Sequence, residues 1–345
     1  MTTRSKVAKT TIIDIAAASG VSIATVSRIL NNKPDVADET RERVLRVMDE
    51  IGFAPQSAWR QIRSGRTGLI AMHVPQDFNP PAHRLIMAAA LGVEEAGYSI
   101  NVITRSLTDG ELLNIIRGRV ADGIILLEIL TDDRRAEILR ANGYPFVMIG
   151  HRTDNEGLSF VDVDVAHGIA LAVEHLVGLG HRRIGFVAVD PVVEDRTYGF
   201  ATWALEGYAQ ACEGNGLEPL ARVGGPSSDD LATAARSLLD DQAGVTALIA
   251  PQEQSVIGVL KAVRAAGLRV PDDLSLVGTV SDLMADVATP PLTTISFPAE
   301  DMGAAAARLL VPRLDGGRPG PSQLFIEPHL TIRGTTGPSA AQRSR

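Results

Sequence analysis

A short run of polar side chains near the N-terminus has the spacing of a surface that binds nucleic acid. Four of these residues are short hydrogen-bonding side chains suited to phosphate oxygens: Ser22, Thr25, Ser27 and Asn31. Arg28 can donate two hydrogen bonds to a guanine edge in a major groove. The spacing predicts a DNA-binding surface, and an ordinary helical hairpin with solvated polar residues is the alternative that spacing alone leaves open.

Two short helices joined by a turn would hold these side chains in place. Thr11 followed by Asp14 has the form of a capping-box start, and the apolar stripe that follows it ends at Gly20. Glycine adopts the left-handed turn conformation cheaply, and Ser22 can cap the second helix. Small Ala16 lies where the helices would cross closely. Three residues of the second helix would face inward: Val26, Ile29 and Leu30. The segment therefore meets the steric demands of a helix-turn-helix.

Further helices are predicted on either side of the first domain boundary. A third helix carries Val44, Val47, Met48 and Ile51 at helical spacing. Residues 55–66 could form a two-turn helix that is too short to be stable alone. Residues 1–10 lack apolar periodicity and are expected to be a mobile arm.

After residue 67 the pattern changes to apolar, strand-like runs that alternate with helix-length segments. Runs such as GLIAMHV, DGIILL and PFVMI are separated by segments of about helix length, and a second round of the same kind begins near Asp164. This alternation is typical of a parallel sheet covered by helices. We therefore expect an α/β protein in which a small all-α headpiece precedes two similar α/β halves.

The charge is distributed unevenly along the chain. Residues 1–66 hold 11 Lys and Arg against 7 Asp and Glu, whereas the remainder holds 22 against 34, which gives the net charge of −8. A basic headpiece attracts phosphates, and an acidic body discourages general adhesion to DNA. The charge pattern therefore agrees with the predicted DNA-binding surface.

The chain lacks the sequence features that several classes of protein require. No apolar run has the length of a signal peptide or membrane span, so we expect a cytoplasmic, nucleoid-associated protein without membrane contact. The single cysteine, Cys212, has no partner for a disulfide or a thiolate metal site. Glycine-rich phosphate loops, the G-x-S-x-G motif and metal-spaced His or Cys clusters are absent from the sequence. We therefore expect no enzyme activity, no cofactor and no metal site.

The chain resembles the lactose-repressor (LacI/GalR) family of transcription factors over roughly residues 10–336. The matching motifs are V-S-I-A-T-V-S-R-I-L-N at 21–31, E-T-R-E-R-V at 39–44, I-G-F-A-P at 51–55, S-G-R-T-G-L-I at 64–70, H-L-V-G-L-G-H-R-R-I-G-F at 175–186, G-L-R-V-P-D-D-L-S-L-V-G at 267–278, P-P-L-T-T-I at 290–295 and I-R-G-T-T at 332–336. So many matches in order are incompatible with coincidence.

The resemblance implies a core like that of type I periplasmic binding proteins. Such a core has two doubly wound parallel-sheet lobes joined by three crossovers, with a ligand in the cleft between them. The predicted divisions are a mobile arm at 1–10, a helix-turn-helix headpiece at 11–54, a hinge at 55–66, a core at 67–336 and a disordered tail at 337–345. Within the core, the N-lobe is expected at 67–163 plus 297–323 and the C-lobe at 164–296 plus 324–336.

The resemblance also implies roles for individual headpiece residues. Ile23, Ala24 and Arg28 correspond to base-reading positions, and Ser22, Thr25, Ser27 and Asn31 correspond to phosphate contacts. Since Ile23 and Ala24 can favour only a thymine methyl, Arg28 is expected to carry most of the direct readout. In the hinge, Ile62 takes the place of the family's leucine wedge and Trp59 that of a small alanine. Trp59 could enter the minor groove or pack against the core or the partner hinge.

The positions that contact effectors in the family are unusual in this chain. The family arginine becomes Ala204, the Asn-Asp pair becomes Gln252-Glu253, and the Asp-Asp pair becomes Val280-Ser281. The effector-binding candidates are Arg105, His151, Arg196, Trp203, Gln252, Glu253 and Val280. Arg196 could replace the lost arginine, whereas His151 and Trp203 could equally be structural.

The sequence predicts a regulator, a repressor by resemblance, that binds double-stranded, pseudo-palindromic operator DNA as a homodimer. A small-molecule effector, a sugar or sugar-derived metabolite, would control that binding. Arg105 and Arg196 suit an acidic or phosphorylated ligand, whereas Glu253 suits hydroxyl or amine groups, and the sequence does not choose between them. A solute-binding module for transport and an α/β enzyme are the alternatives.

Overall fold

Three short helices form the headpiece around a small apolar core. The computed structural model describes residues 12–30, 36–51, 66–74, 81–240, 244–317 and 319–343. The helices are α1 (Ile12–Ser19), α2 (Ile23–Leu30) and α3 (Asp38–Glu50). The buried apolar residues of this part are Ile15, Ala16, Val26, Ile29, Val44, Leu45 and Met48. The inward positions predicted for Val26, Ile29, Val44 and Met48 are thus confirmed, and Leu45 joins them.

A six-stranded parallel sheet forms the N-lobe, with helices on both faces. Its strands follow the order β13-β5-β4-β3-β1-β2. The strands are β1 (Leu69–His73), β2 (Ser99–Ile103), β3 (Gly123–Leu126), β4 (Phe146–Ile149), β5 (Phe160–Val163) and β13 (Gln323–Ile326). The helices are α4 (Pro81–Glu94), α5 (Asp109–Gly118), α6 (Arg134–Ala141) and α12 (Ala299–Leu314). Helices α4 and α12 bury one face of the sheet, and α5 and α6 bury the other.

The C-lobe repeats this three-layer arrangement. Its sheet follows the order β14-β12-β11-β10-β6-β9, in which β14 is antiparallel to β12. The strands are β6 (Ile184–Val189), β9 (Leu220–Gly224), β10 (Ala247–Ala250), β11 (Ser275–Gly278), β12 (Thr293–Ile295) and β14 (Leu330–Thr331). The helices are α7 (Val165–Gly178), α8 (Gly199–Gly214), α9 (Ser228–Asp240), α10 (Glu253–Ala265) and α11 (Asp282–Val287). Helices α7 and α8 cover one face, and α9 and α10 cover the other.

The chain crosses between the lobes after β5, after β12 and after β13, so each lobe is built from separate stretches of sequence. The last crossing lies later than the predicted boundary at residue 323. Strand β13 pairs in parallel with β5 and therefore belongs to the N-lobe. The boundary lies later because β13 forms the edge strand of the N-lobe sheet, and the chain crosses to β14 of the C-lobe only after it.

Two segments differ from the sequence-based expectation. A two-stranded hairpin, β7 (Val192–Val193) and β8 (Arg196–Thr197), follows β6 where the alternation of strands and helices predicts a direct passage to a helix, and α8 begins after it at Gly199. The predicted disordered tail instead packs on the C-lobe, where a short helix α13 (Ala340–Arg343) follows buried Ser339. The Ser339 amide donates to the carbonyl of Leu179 at 2.9 Å, which ties the tail to the end of α7.

Within the described residues, no single helix is long and apolar enough to cross a bilayer. The bent pair α1–α2 meets the criterion of length and composition when its two segments are taken together.

Candidate functional site

Helix α2 presents one buried and one exposed face, as its sequence pattern predicts. Val26 and Ile29 are completely buried against α1 and α3. On the other side, Ala24 and Arg28 are exposed, and Ile23 keeps 49% of its surface accessible. Ala24 and Arg28 lie one turn apart, and Ile23 is exposed at the start of the helix, so α2 has a mixed apolar and cationic surface. Such a surface suits the thymine methyl and guanine edges of a major groove.

The turn before α2 has the geometry of a helix-turn-helix. The axes of α1 and α2 differ in direction by 103°, within the range of this motif. Gly20 has a φ of +66°, the left-handed conformation predicted for it, and the Val21 amide donates to the carbonyl of Ala16 at 3.1 Å. These features end α1 and direct the chain into α2 at a steep angle.

Ser22 caps α2, as predicted. Its Oγ accepts a hydrogen bond from the Thr25 backbone amide at 3.1 Å and lies 2.9 Å from Thr25 Oγ1. Ser22 is exposed, whereas Thr25 and Ser27 are half-buried on the flank of the exposed face. The Ser22 and Thr25 hydroxyls therefore lie together at the N-terminal end of α2. Three further predicted contacts, Asn31, Trp59 and Ile62, lie outside the described residues, as do Thr11 and the hinge up to residue 65.

Gln252 and Glu253 lie together where β10 ends and α10 begins. The Gln252 side chain is buried, and its Oε1 accepts from the Val189 amide at 3.3 Å and from the Ser255 hydroxyl at 3.0 Å. Within the described residues no hydrogen bond engages its Nε2, which leaves that amide group as a donor for a ligand. Burial raises the pKa of the neighbouring Glu253 carboxyl. The pair thus places a donor and an acceptor at the carboxyl edge of the C-lobe sheet, where open α/β sheets bind ligands.

Two positions of the same lobe are apolar. Val280 follows β11 and is 9% exposed within the core cluster that α9 and α10 cover. Ala204 is completely buried in the cluster between α7, α8 and the sheet. The Ala204 side chain therefore belongs to the interior of the C-lobe.

Arg196 lies on the hairpin that joins β6 to α8. Its guanidinium forms an ion pair with Glu194 at 3.3 Å and lies 5.8 Å from the ring centroid of Tyr198. Glu194 and Asp195 form the turn, both with positive φ. The hairpin also touches the N-lobe, because the Thr131 amide donates to Thr197 O at 2.9 Å.

Arg105 lies apart from the other candidates. It lines a cavity of about 300 Å³ between β2 and α5, and its Nε is 3.5 Å from a carboxylate oxygen of Glu111. Neither Gln252 nor Arg196 contributes to this cavity. The seven predicted effector residues therefore do not converge on a single cavity.

His151 and Trp203 do come together. Their rings are parallel within 12° and 4.8 Å apart between centroids. His151 Nδ1 lies 2.7 Å from a carboxylate oxygen of Asp162, a buried residue on β5. The two rings line a cavity of about 170 Å³ that sequence reasoning did not anticipate, because Phe325 on β13 completes its wall.

A buried polar network in the N-lobe was also missed. Arg135 forms two hydrogen bonds with Asp133, which is 1% exposed, and a third at 2.6 Å with His73 Nδ1. The other ring nitrogen of His73 lies 3.1 Å from the Arg105 carbonyl oxygen. Burial, followed by the Arg135 charge, lowers the pKa of His73 to about 4. The neutral imidazole therefore accepts from Arg135, and this network fixes the ends of β1 and β3. No sequence motif predicts this network, although a histidine at the end of an apolar strand, such as His73, indicates a buried polar side chain that needs partners.

Two family descriptions match separate parts of the chain. The family described as "Bacterial regulatory proteins, lacI family" matches residues 11–56, and "Periplasmic binding protein-like domain" matches residues 173–336. The HTH-type transcriptional regulator CelR of Thermobifida fusca is 33% identical over 331 residues, which cover 92% of this chain and 96% of CelR.

Two solved structures extend this similarity to the fold. A transcriptional regulator CelR–cellobiose complex is 30% identical, has a TM-score of 0.71 and covers 94% of this chain and 99% of its own. The Lac repressor dimer bound to operator and the anti-inducer ONPF is 25% identical, has a TM-score of 0.75 and covers 95% and 99%. The similarity thus spans both the headpiece and the core.

Proposed function

Because this chain belongs to the lacI family of bacterial regulatory proteins, we propose that α2 reads operator DNA and that a small molecule between the lobes controls this binding. The chain is a DNA-binding transcriptional regulator and not an enzyme. Its effect on its target genes is repression, exerted while the headpiece occupies an operator. Such a protein works where the DNA is, in association with the nucleoid.

The exposed face of α2 is the observation that carries the DNA-binding assignment. Ala24 and Arg28 share that face. Ile23 is exposed at the start of the helix, where Ser22 and Thr25 also lie. In a helix-turn-helix the N-terminal residues of the second helix contact base edges. Arg28 is the one charged side chain on α2 and therefore supplies the hydrogen-bonded readout.

A homodimer would present two copies of α2 to a pseudo-palindromic operator. The described part of the core exposes apolar side chains on helices of both lobes: Met87, Leu91, Ile257, Leu260, Leu283, Met284 and Val287. Exposed apolar surface of this kind marks association sites in water-soluble domains. We place the dimer contact on α4, α10 and α11, so that each lobe meets its counterpart.

The effector of this chain is a saccharide or a sugar-derived metabolite that binds at the Gln252–Glu253 pair. The related CelR has been solved as a cellobiose complex, and a donor beside an acceptor suits hydroxyl groups. Val280, which is 9% exposed, offers an apolar contact instead of a charge. Effector binding would favour one arrangement of the lobes and thereby change the affinity for the operator.

Replacement of Arg28 tests the DNA-binding assignment. Arg28→Ala should weaken binding to the operator by about 1 to 3 kcal/mol, roughly five- to 150-fold, with little loss on random DNA. The reason is that a base contact distinguishes sequences whereas a phosphate contact does not. Titration of operator and random duplexes at one fixed salt concentration measures both affinities.

Arg43→Ala is the matched control, because Arg43 is an exposed arginine on α3. It removes the same charge without touching α2, so any loss should be equal on the two DNAs. Equal losses for Arg28→Ala itself would show that this residue does not read bases, and the assignment of α2 would then be wrong.

A further inference from the structure

A cavity of about 170 Å³ lies at the junction of the two lobes, where three aromatic rings meet. The rings of His151 and Trp203 stack at 4.8 Å, and the ring of Phe325 approaches His151 edge-on at 5.1 Å. Phe325 is 47% exposed although it lies on a sheet. An aromatic surface left open beside a cavity is a typical ligand wall, because protein interiors otherwise bury such rings.

The polar residues of this cavity are acidic or neutral. Asp164 and Glu206 contribute carboxylates and Gln210 an amide, and the residues that line the cavity include neither lysine nor arginine. Asp164 uses Oδ1 to cap α7 through the His167 amide at 3.0 Å. Among the residues of known placement, Glu206 forms no ion pair. His151 Nδ1 lies 2.7 Å from a carboxylate oxygen of Asp162. Glu206 therefore brings a carboxylate without an ion-pair partner among the described residues to the aromatic wall of the cavity.

We propose that this cavity is a second small-molecule site and that its ligand is a compact organic cation, an alkylammonium group. Aromatic faces attract such cations through the ring quadrupole, and carboxylates at the rim add Coulombic attraction. An anionic metabolite would be repelled by the carboxylates. The site is separate from the Gln252–Glu253 pair, since neither of those residues lines the cavity.

The cavity takes its walls from both lobes. Phe325 and His151 belong to the N-lobe, whereas Trp203 and Glu206 project from α8 of the C-lobe, and Asp164 lies at the first crossing. A ligand between these walls makes contacts that depend on the angle between the lobes. Occupancy would therefore change operator affinity by linkage. This coupling rests on the proposed function, but the binding itself does not.

Binding is tested on the full-length protein with tetramethylammonium chloride, and with tert-butanol as the uncharged compound of similar shape. The chain has two tryptophans, so the indole N–H resonance of Trp203 is assigned by comparison with Trp59→Phe. We expect tetramethylammonium to shift this resonance in a saturable way, with an affinity about tenfold higher than that of tert-butanol. Sodium chloride holds the ionic strength constant.

Variants of the wall locate the site. Phe325→Leu should weaken tetramethylammonium binding about fivefold and Glu206→Gln about threefold. Glu213→Gln, an exposed position on the same helix but outside the cavity, should leave the affinity unchanged. Equal affinities for the cation and tert-butanol, or equal effects of Glu206→Gln and Glu213→Gln, would overturn the proposal.

The coupling has its own readout. Operator affinity measured with and without saturating tetramethylammonium should differ in the parent protein and not in Phe325→Leu. A saturable shift of Trp203 without any change in operator affinity would retain the site and overturn its regulatory role. Absence of operator binding under all conditions would contradict the proposed function but leave the indole titration intact, so the two failures are distinguishable.

Discussion

The DNA-facing helix and the lobe junction assemble their functional side chains in opposite ways. Helix α2 carries its residues within Ile23–Leu30, so helical periodicity alone places Ala24 and Arg28 on one face. The junction instead gathers His151, Trp203 and Phe325 from three distant stretches of chain. A site on one helix depends on local geometry, whereas a site between two sheets depends on the whole topology.

The two regions also differ in how firmly they are held. The headpiece buries a small set of aliphatic side chains, while each sheet of the core is packed on both faces. A small domain has little stability to spare. A single destabilising substitution should therefore unfold the headpiece, whereas a destabilising substitution at the junction should only lower the melting temperature of the core.

Val26→Asp should have the largest effect and separates the two regions. Val26 is completely buried in the headpiece core, and an unpaired carboxylate there costs about 4 kcal/mol. We expect the headpiece to become sensitive to protease and operator binding to be lost, while the thermal midpoint of the core stays unchanged. Limited proteolysis and a thermal melt measure the two regions separately.

Ile13→Asp is the control for that variant, because Ile13 is 62% exposed on α1. It adds the same charge to the headpiece without burying it, and protease resistance should remain. If Val26→Asp also left the headpiece resistant, the packing described for α2 would be wrong.

Acid should weaken the core through His73, and this effect is the second largest. The folded pKa of about 4 lies below the ordinary value of 6.5, so the unfolded chain binds a proton first as the pH falls. Stability is therefore complete above about pH 6.5 and declines towards pH 4, by up to roughly 3 kcal/mol. Denaturant unfolding at pH 7 and pH 4.5 should show a smaller pH difference for His73→Gln.

Two further histidines should contribute to the pH dependence of core stability. Burial also lowers the pKa of His175 and His181, so His73→Gln should reduce the slope without abolishing it. His329→Gln, at an exposed position, should leave the slope unchanged. All seven histidines lie after residue 66, and the headpiece should therefore show no histidine-linked loss. An unchanged slope in His73→Gln would contradict the buried, neutral imidazole.

Gly199→Val should have the smallest of the three effects and probes the junction itself. A Cβ at this position would lie 3.1 Å from the carbonyl oxygens of both His151 and Ile129. Overpacking of this kind costs about 2 kcal/mol. We expect the core to melt earlier, with protease resistance of the headpiece unaffected.

Gly214→Val controls for the β-branched side chain, because it lies on the same helix with nothing within 4 Å of its Cβ position. The difference in unfolding free energy between the two variants isolates the junction. If the two variants melted together, the contact between α8 and the N-lobe would contribute nothing to stability.

Local features were the most predictable from the sequence. The Gly20 turn, the Ser22 cap and the inward residues of α2 follow from propensity and spacing, and the alternation of strands and helices indicated the parallel sheets. The assignment of β13 to the wrong lobe has a clear cause. Its apolar residues predict an extended segment, but which sheet accepts an edge strand is decided by distant partners.

The junction was harder for similar reasons. The turn of the hairpin at 192–197 consists of Glu194 and Asp195, both with positive φ. Turns of this type usually contain glycine or asparagine, so the sequence did not predict this one. His151 and Trp203 were singled out as candidates, but Phe325 carried no chemical signal in the sequence. Only the crossing of the chain between lobes brings it to them.

The interleaved connectivity has a consequence for synthesis. The headpiece leaves the ribosome first and can fold while the rest is still being made, since domains generally fold in that order. The N-lobe sheet, by contrast, lacks α12 and β13 until almost the entire polypeptide has emerged. From the time that β5 emerges until β13 follows it, β5 is therefore an unprotected edge strand, a state that favours pairing with other chains. Nascent chains would therefore have a folded headpiece that can bind DNA before their core has folded and can regulate that binding.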